Sequence, residues 1–191
     1  MLSVFWLLHM LKLPWLVNSI LTFIAIAALS SLLTFGPGPR FKASLFGTLA
    51  GGLVTLGLIW LSKILAISSP SVLLQSGMLL QMAAGLSYIS ISTVRAVYIS
   101  HRSEPELKRR ELLKKGYLGG QGAIEVVATL YLVLMLGEVL NTAYAAGLEP
   151  GLMQMGPILT DMASLLFMLM GFALCLPLSA FIGTRILIKS R

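Results

Sequence analysis

Three carboxylates interrupt apolar stretches of this chain: Glu125, Glu138 and Asp161. An ionisable group surrounded by hydrocarbon-compatible residues is costly, so each is a candidate for proton transfer, cation binding or a register-fixing contact between helices. Gln121 and Thr129 stand four residues to either side of Glu125 and share its helical face; Tyr131, Asn141 and Thr142 stand at helical spacing around Glu138. At 100° per residue the two glutamates lie roughly 220° apart, nearly on opposite sides, which disfavours one straight proton wire along that segment. Glu138 and Asp161 both approach a connection without Lys or Arg. Held close together, two such carboxylates raise one pKa and can bind a cation or carry a proton.

A second constellation is Gln81, Gly85, Tyr88, Ser92 and Arg95, stepping by helical intervals that keep all five on one face. The expectation is that this face looks into the interior of a helix bundle. Arg95 is expected to pair with Glu125, because an isolated charge there costs about 3 kcal/mol. Arg185 is the competing partner.

The chemistry that is missing narrows the field. There is no nucleophile turn of the Gly-x-Ser-x-Gly type, no His-Glu-x-x-His, no P-loop and no dinucleotide fingerprint. Cys175 is the single cysteine, and His9 and His101 lie on separate segments, so neither a disulfide nor a metal or haem ligand pair is expected. Ten methionines, among them Met162, Met168 and Met170, read as adaptable packing. The chain is therefore expected to be no enzyme, with no cofactor and no metal.

The elements that carry these residues are long apolar runs, at about 15–35, 43–65, 72–95, 119–146 and 157–184. Each approaches or exceeds the ~20 residues that cross ~30 Å of hydrocarbon. The fold class expected is all-α: a polytopic integral membrane protein, a single domain over 1–191 with five transmembrane helices. Met1 to Lys12 is too short to cross and lacks a basic start, so it is read as an interfacial segment or an extension of the first span, not as a removed signal peptide.

Charge sets an orientation. Of fourteen basic residues, only Lys12 and Lys63 fall on the side opposite the loop 100–116, which carries Arg102, Lys108, Arg109, Arg110, Lys114 and Lys115. Lys and Arg hold loops on the cytoplasmic side, so the N-terminus is expected outside and the C-terminus in the cytoplasm, with a bacterial inner membrane the favoured setting. Trp6, Trp15 and Trp60 then fall near the outer headgroups, where amphipathic rings prefer to sit. The net charge of +7 belongs to this asymmetry and not to nucleic-acid binding. The loop itself reads as a short amphipathic helix with Ser103 as N-cap and Pro105 in its first turn, a contact for headgroups or a partner.

Packing in lipid depends on close backbone approach. Gly47, Gly51 and Thr55 recur every four residues, with Ala43 before them, and Gly85 sits in the middle of the third run. They mark a tight helix pair within the chain in preference to a dimer seam. Gly36-Pro37-Gly38-Pro39 resembles the Pro-Gly-Pro turn of LysE-type exporters; no second motif accompanies it, so it implies no activity here. Two function classes remain. One is a non-catalytic membrane subunit whose partners are the bilayer and other membrane subunits or further copies of itself. The alternative is a transporter or channel component that uses Glu125, Glu138 and Asp161.

Overall fold

The computed structural model describes residues 15–64, 76–145 and 152–190. They form five helices: α1 (Trp15–Phe35), α2 (Pro39–Ile64), α3 (Ser76–Ser103), α4 (Arg109–Ala145) and α5 (Leu152–Lys189). No strand occurs among the described residues. Four of the helices, α2 to α5, contain stretches long and apolar enough to cross a membrane, and α1 holds a shorter apolar stretch, Ile20–Phe35. The chain thus has the make-up of a multi-pass integral membrane protein. The segment Met1 to Lys12, with Trp6 and His9, lies outside the described residues.

Local chemistry ends and starts the helices. Gly36 closes α1 with φ 66°, in the left-handed region that a side chain disfavours, and its N–H bonds the Leu32 carbonyl at 2.8 Å. Pro37 cannot continue that helix. Gly38, at φ 149°, offers its carbonyl to the Lys42 N–H at 3.1 Å, and Pro39 takes the first helical position of α2, where its missing N–H costs nothing. The Gly-Pro-Gly-Pro run is accounted for as a stop signal followed directly by a start signal.

Helix α3 is central and touches each of the other four helices, while the most extensive contact joins α2 to α5. That seam is built from small residues. A Cβ added at Gly47 would collide with Ser179, and one at Gly51 would come within 2.5 Å of the Cys175 sulfur. One added at Gly171 would collide with Thr55. Positions on the two helices therefore pair in opposite directions, four residues at a time, which makes α2 and α5 antiparallel. Hydroxyls in the seam satisfy themselves on backbone: Thr48 donates to the Ser44 carbonyl at 3.0 Å and Thr55 to Gly51 at 2.8 Å. Ser90 of α3 donates across to the same Ser44 carbonyl at 2.8 Å, and Ser31 of α1 meets the Ser44 hydroxyl at 2.9 Å. One buried carbonyl and its own hydroxyl thereby tie three helices together.

The apolar core lies where α3, α4 and α5 meet. Met82, Leu86, Ile89, Val127, Phe172 and Leu176 are buried there, with Tyr131 edge-on to Phe172 at 5.3 Å between centroids. Gly116, Gly119 and Gly120 let α4 lie directly on α3, since a Cβ on them would strike Val97, Ala96 and Thr93 respectively.

Candidate functional site

The basic stretch departs from the amphipathic helix expected for it. Helix α3 runs through to Ser103, whose hydroxyl bonds back to the Ile99 carbonyl at 3.0 Å as part of a helix end, not as an N-cap. Glu104, which precedes Pro105, leaves the helical region, as that position favours. The chain turns once and Lys108 becomes the residue that opens α4, its carbonyl accepting from the N–H of Leu112 at 3.2 Å. Arg109, Arg110, Lys114 and Lys115 are thus the opening turns of α4 itself. Leu112 is only 1% exposed and anchors α4 to the bundle.

These turns meet the ends of α3 and α5, and the start of α2 meets the same two helix ends, so the basic residues of four segments gather at one end of the molecule. Arg40 stacks on Tyr98 at 4.5 Å and reaches Phe35 at 6.0 Å. Arg109 stacks on Phe181 at 5.1 Å, beside Arg185 and Lys189. Lys115 and Glu104 form an exposed ion pair at 2.6 Å. Trp60 lies exposed toward the other end of α2.

The polar stripe of α3 does not look inward. Gln81, Tyr88 and Arg95 are exposed and Ser92 is half-buried; only Gly85, packed against Phe172 and Val127, belongs to the interior. The reason is that Met82, Ala83, Leu86, Ile89, Ser90, Thr93, Val94 and Val97 occupy the opposite face and meet the four neighbouring helices there. Gln121, Glu125 and Thr129 are likewise exposed on α4, because α4 packs through Gly116, Gly120, Ala123 and Val127 on its other side.

Arg95 and Glu125 therefore do not pair. Gly116 lies beside Val97 and Val127 beside Gly85, which puts Glu125 level with Tyr88. Arg95 is about 10 Å further along α3 at 1.5 Å per residue. Among the described residues the one ion pair is Lys115 with Glu104, and Arg185 sits with Arg109 and Phe181 instead. Glu138 and Asn141 fall in the later part of α4 and Asp161 in the first part of α5; their side chains lie outside the described residues.

Every buried polar side chain that the structure describes is a Ser or Thr hydroxyl, apart from Tyr131 and Cys175. No Asp, Glu, Lys, Arg or His is among the buried described residues, so the described interior offers no chain of ionisable groups. The described Glu, Lys and Arg side chains are exposed or half-buried instead. Two arrangements escaped the sequence reading. One is the Gly116–Gly120 contact, signalled by its four-residue spacing. The other is the Arg40–Tyr98 stack, which joins residues far apart in sequence and left no local signal.

No family model matches the chain, and no curated protein or solved structure matches it.

Proposed function

We propose that this protein is a non-catalytic subunit of a larger membrane assembly, crossing the bilayer five times with its basic end in the cytoplasm. The observation that carries the reading is Glu125, exposed on α4 with Gln121 and Thr129 beside it. About 15 Å of helix separates Glu125 from Lys115, which places the carboxylate well within the hydrocarbon when the basic turns sit at the headgroups. Facing lipid there, a charged group costs about 3 kcal/mol on insertion scales, and an acceptor left without a donor in hydrocarbon adds to this. A neighbouring protein that supplies donors to Glu125, Gln121 and Tyr88 removes the cost. An interior whose described polar groups are hydroxyls and one thiol favours this reading over a path through the single chain.

The test is purification from native membranes under mild detergent. Wild-type protein should co-elute with a defined partner at fixed stoichiometry. Glu125→Leu should lose that partner while the isolated chain gains stability or keeps it. Recovery of wild type as a solitary monomer that conducts ions after reconstitution, with flux reduced by Glu125→Gln, would favour the transport reading instead.

A further inference from the structure

At the basic end, the start of α2 and the last turns of α3 and α5 enclose a concavity of about 420 Å³. Arg40, Tyr98, His101 and Arg102 line its polar side and Leu187 its apolar side. The Arg40 guanidinium is held against the Tyr98 ring, which fixes its plane while leaving its N–H donors available at the edge. No carboxylate engages Arg40 or Arg102 among the described residues, and the nearby Glu104 is paired with Lys115. Both ring nitrogens of His101 are shielded from solvent without a hydrogen-bond partner. A shielded ring N–H without an acceptor carries a desolvation cost that an incoming acceptor removes.

Helix α2 also begins here. Gly38, its N-cap residue, has no side chain to satisfy the first N–H groups, so the helix start keeps unused donors and the positive end of its dipole. The ends of α3 and α5 reach the same place with carbonyls that favour cations, and the Ser190 hydroxyl is spent on the Leu187 carbonyl at 2.9 Å. Two guanidinium groups and a histidine outweigh those carbonyls. Planar, multi-donor recognition of this kind matches tetrahedral oxyanions, above all phosphate.

We infer that this concavity binds a phosphate group, with Arg40 and Arg102 as the principal donors, His101 as an additional one, and Leu187 against the carbon skeleton of the ligand. Two sources share that chemistry: the headgroup of an anionic lipid, and free phosphate. The site is separate from the outer face around Glu125, and the inference does not rest on the proposed subunit role.

The experiment uses full-length protein in neutral detergent with phosphatidylcholine present throughout. Phosphatidylglycerol is titrated and its retention measured by native mass spectrometry; inorganic phosphate is titrated separately and followed by thermal stabilisation. Retention of phosphatidylglycerol should weaken about tenfold in Arg40→Gln, the scale of one charge-assisted hydrogen bond. Arg40→Lys should also weaken it, because the charge survives but the stacked fork does not. Arg185→Gln removes the same charge from a separate concavity, beside Phe181, and should leave affinity unchanged. Stabilisation by inorganic phosphate that depends on Arg40, without lipid retention, assigns the site to free phosphate. Should Arg40→Gln fail to fold in phosphatidylcholine alone, Arg102→Gln and His101→Phe probe the same concavity and leave the Arg40–Tyr98 stack in place. Equal binding by wild type and these variants, or an equal loss in Arg185→Gln, overturns the inference.

Discussion

The α2–α5 seam and the outer face of α4 are opposite answers to the same problem of placing polar groups in an apolar setting. In the seam, polarity is limited to hydroxyls, of which Thr48 and Thr55 bond to backbone one turn away, and one thiol that reaches the Gly47 carbonyl across the seam, and glycines bring the two helices into close contact. On α4, a carboxylate, an amide and a hydroxyl point away from all four other helices. Only 22% of the membrane-length stretch of α4 is buried, against 56% of that in α3, so among the four such stretches described the one in α4 is the least covered. The seam is complete within one chain; on the proposed subunit reading, a second protein completes the α4 face.

Substitutions in the seam should give the largest effects. Gly51→Leu would drive a side chain into Cys175 and Leu86, which are both buried. Overpacking of this kind costs about 3 kcal/mol or more where backbones are in contact, and thermal unfolding in detergent should show a loss on that scale. Gly57→Ala is the internal control. Nothing lies within 4 Å of an added Cβ there, so the change should be neutral or stabilise by up to about 1 kcal/mol. If both variants melt alike, the seam is not where helix packing is decided.

An intermediate effect is expected at the α1–α2 corner. Gly36→Ala forces a side chain into the left-handed region and should cost about 1–2 kcal/mol, read from the same melts. Pro39→Ala should cost far less, because the first helical position tolerates most residues. At the small end, Glu104→Gln breaks the exposed pair with Lys115 and should change stability by under about 1 kcal/mol, with the difference vanishing in high salt.

The helical class, the membrane-length runs and the corner at Gly36–Pro39 were all legible in the chain, because each depends on local composition and dihedral preference. So was the clustering of Gly47, Gly51 and Thr55 on one face. Helical spacing shows which residues share a face but not which way that face turns. For α3 the choice depends on four neighbours whose small residues fit Leu86, Thr93 and Val97 better than they fit Tyr88 or Arg95. The Arg95–Glu125 pair failed on register, which Gly116, Gly119 and Gly120 set through contacts with residues distant in sequence. The turn at Glu104–Lys108 misled because its charges suggested a separate amphipathic helix, whereas Arg102 and Ser103 finish α3 and Leu112 anchors the stretch from Arg109 onward in α4.

The most direct measurement of the outer face is photo-crosslinking in native membranes, with a benzophenone side chain placed at Gln121 or, for comparison, at Leu53, which is exposed on α2. Position 121 should give a protein adduct of one defined mass, abolished by Glu125→Leu, and position 53 lipid adducts alone. Lipid adducts alone from both positions would contradict it, since Glu125 would then face hydrocarbon with no protein against it.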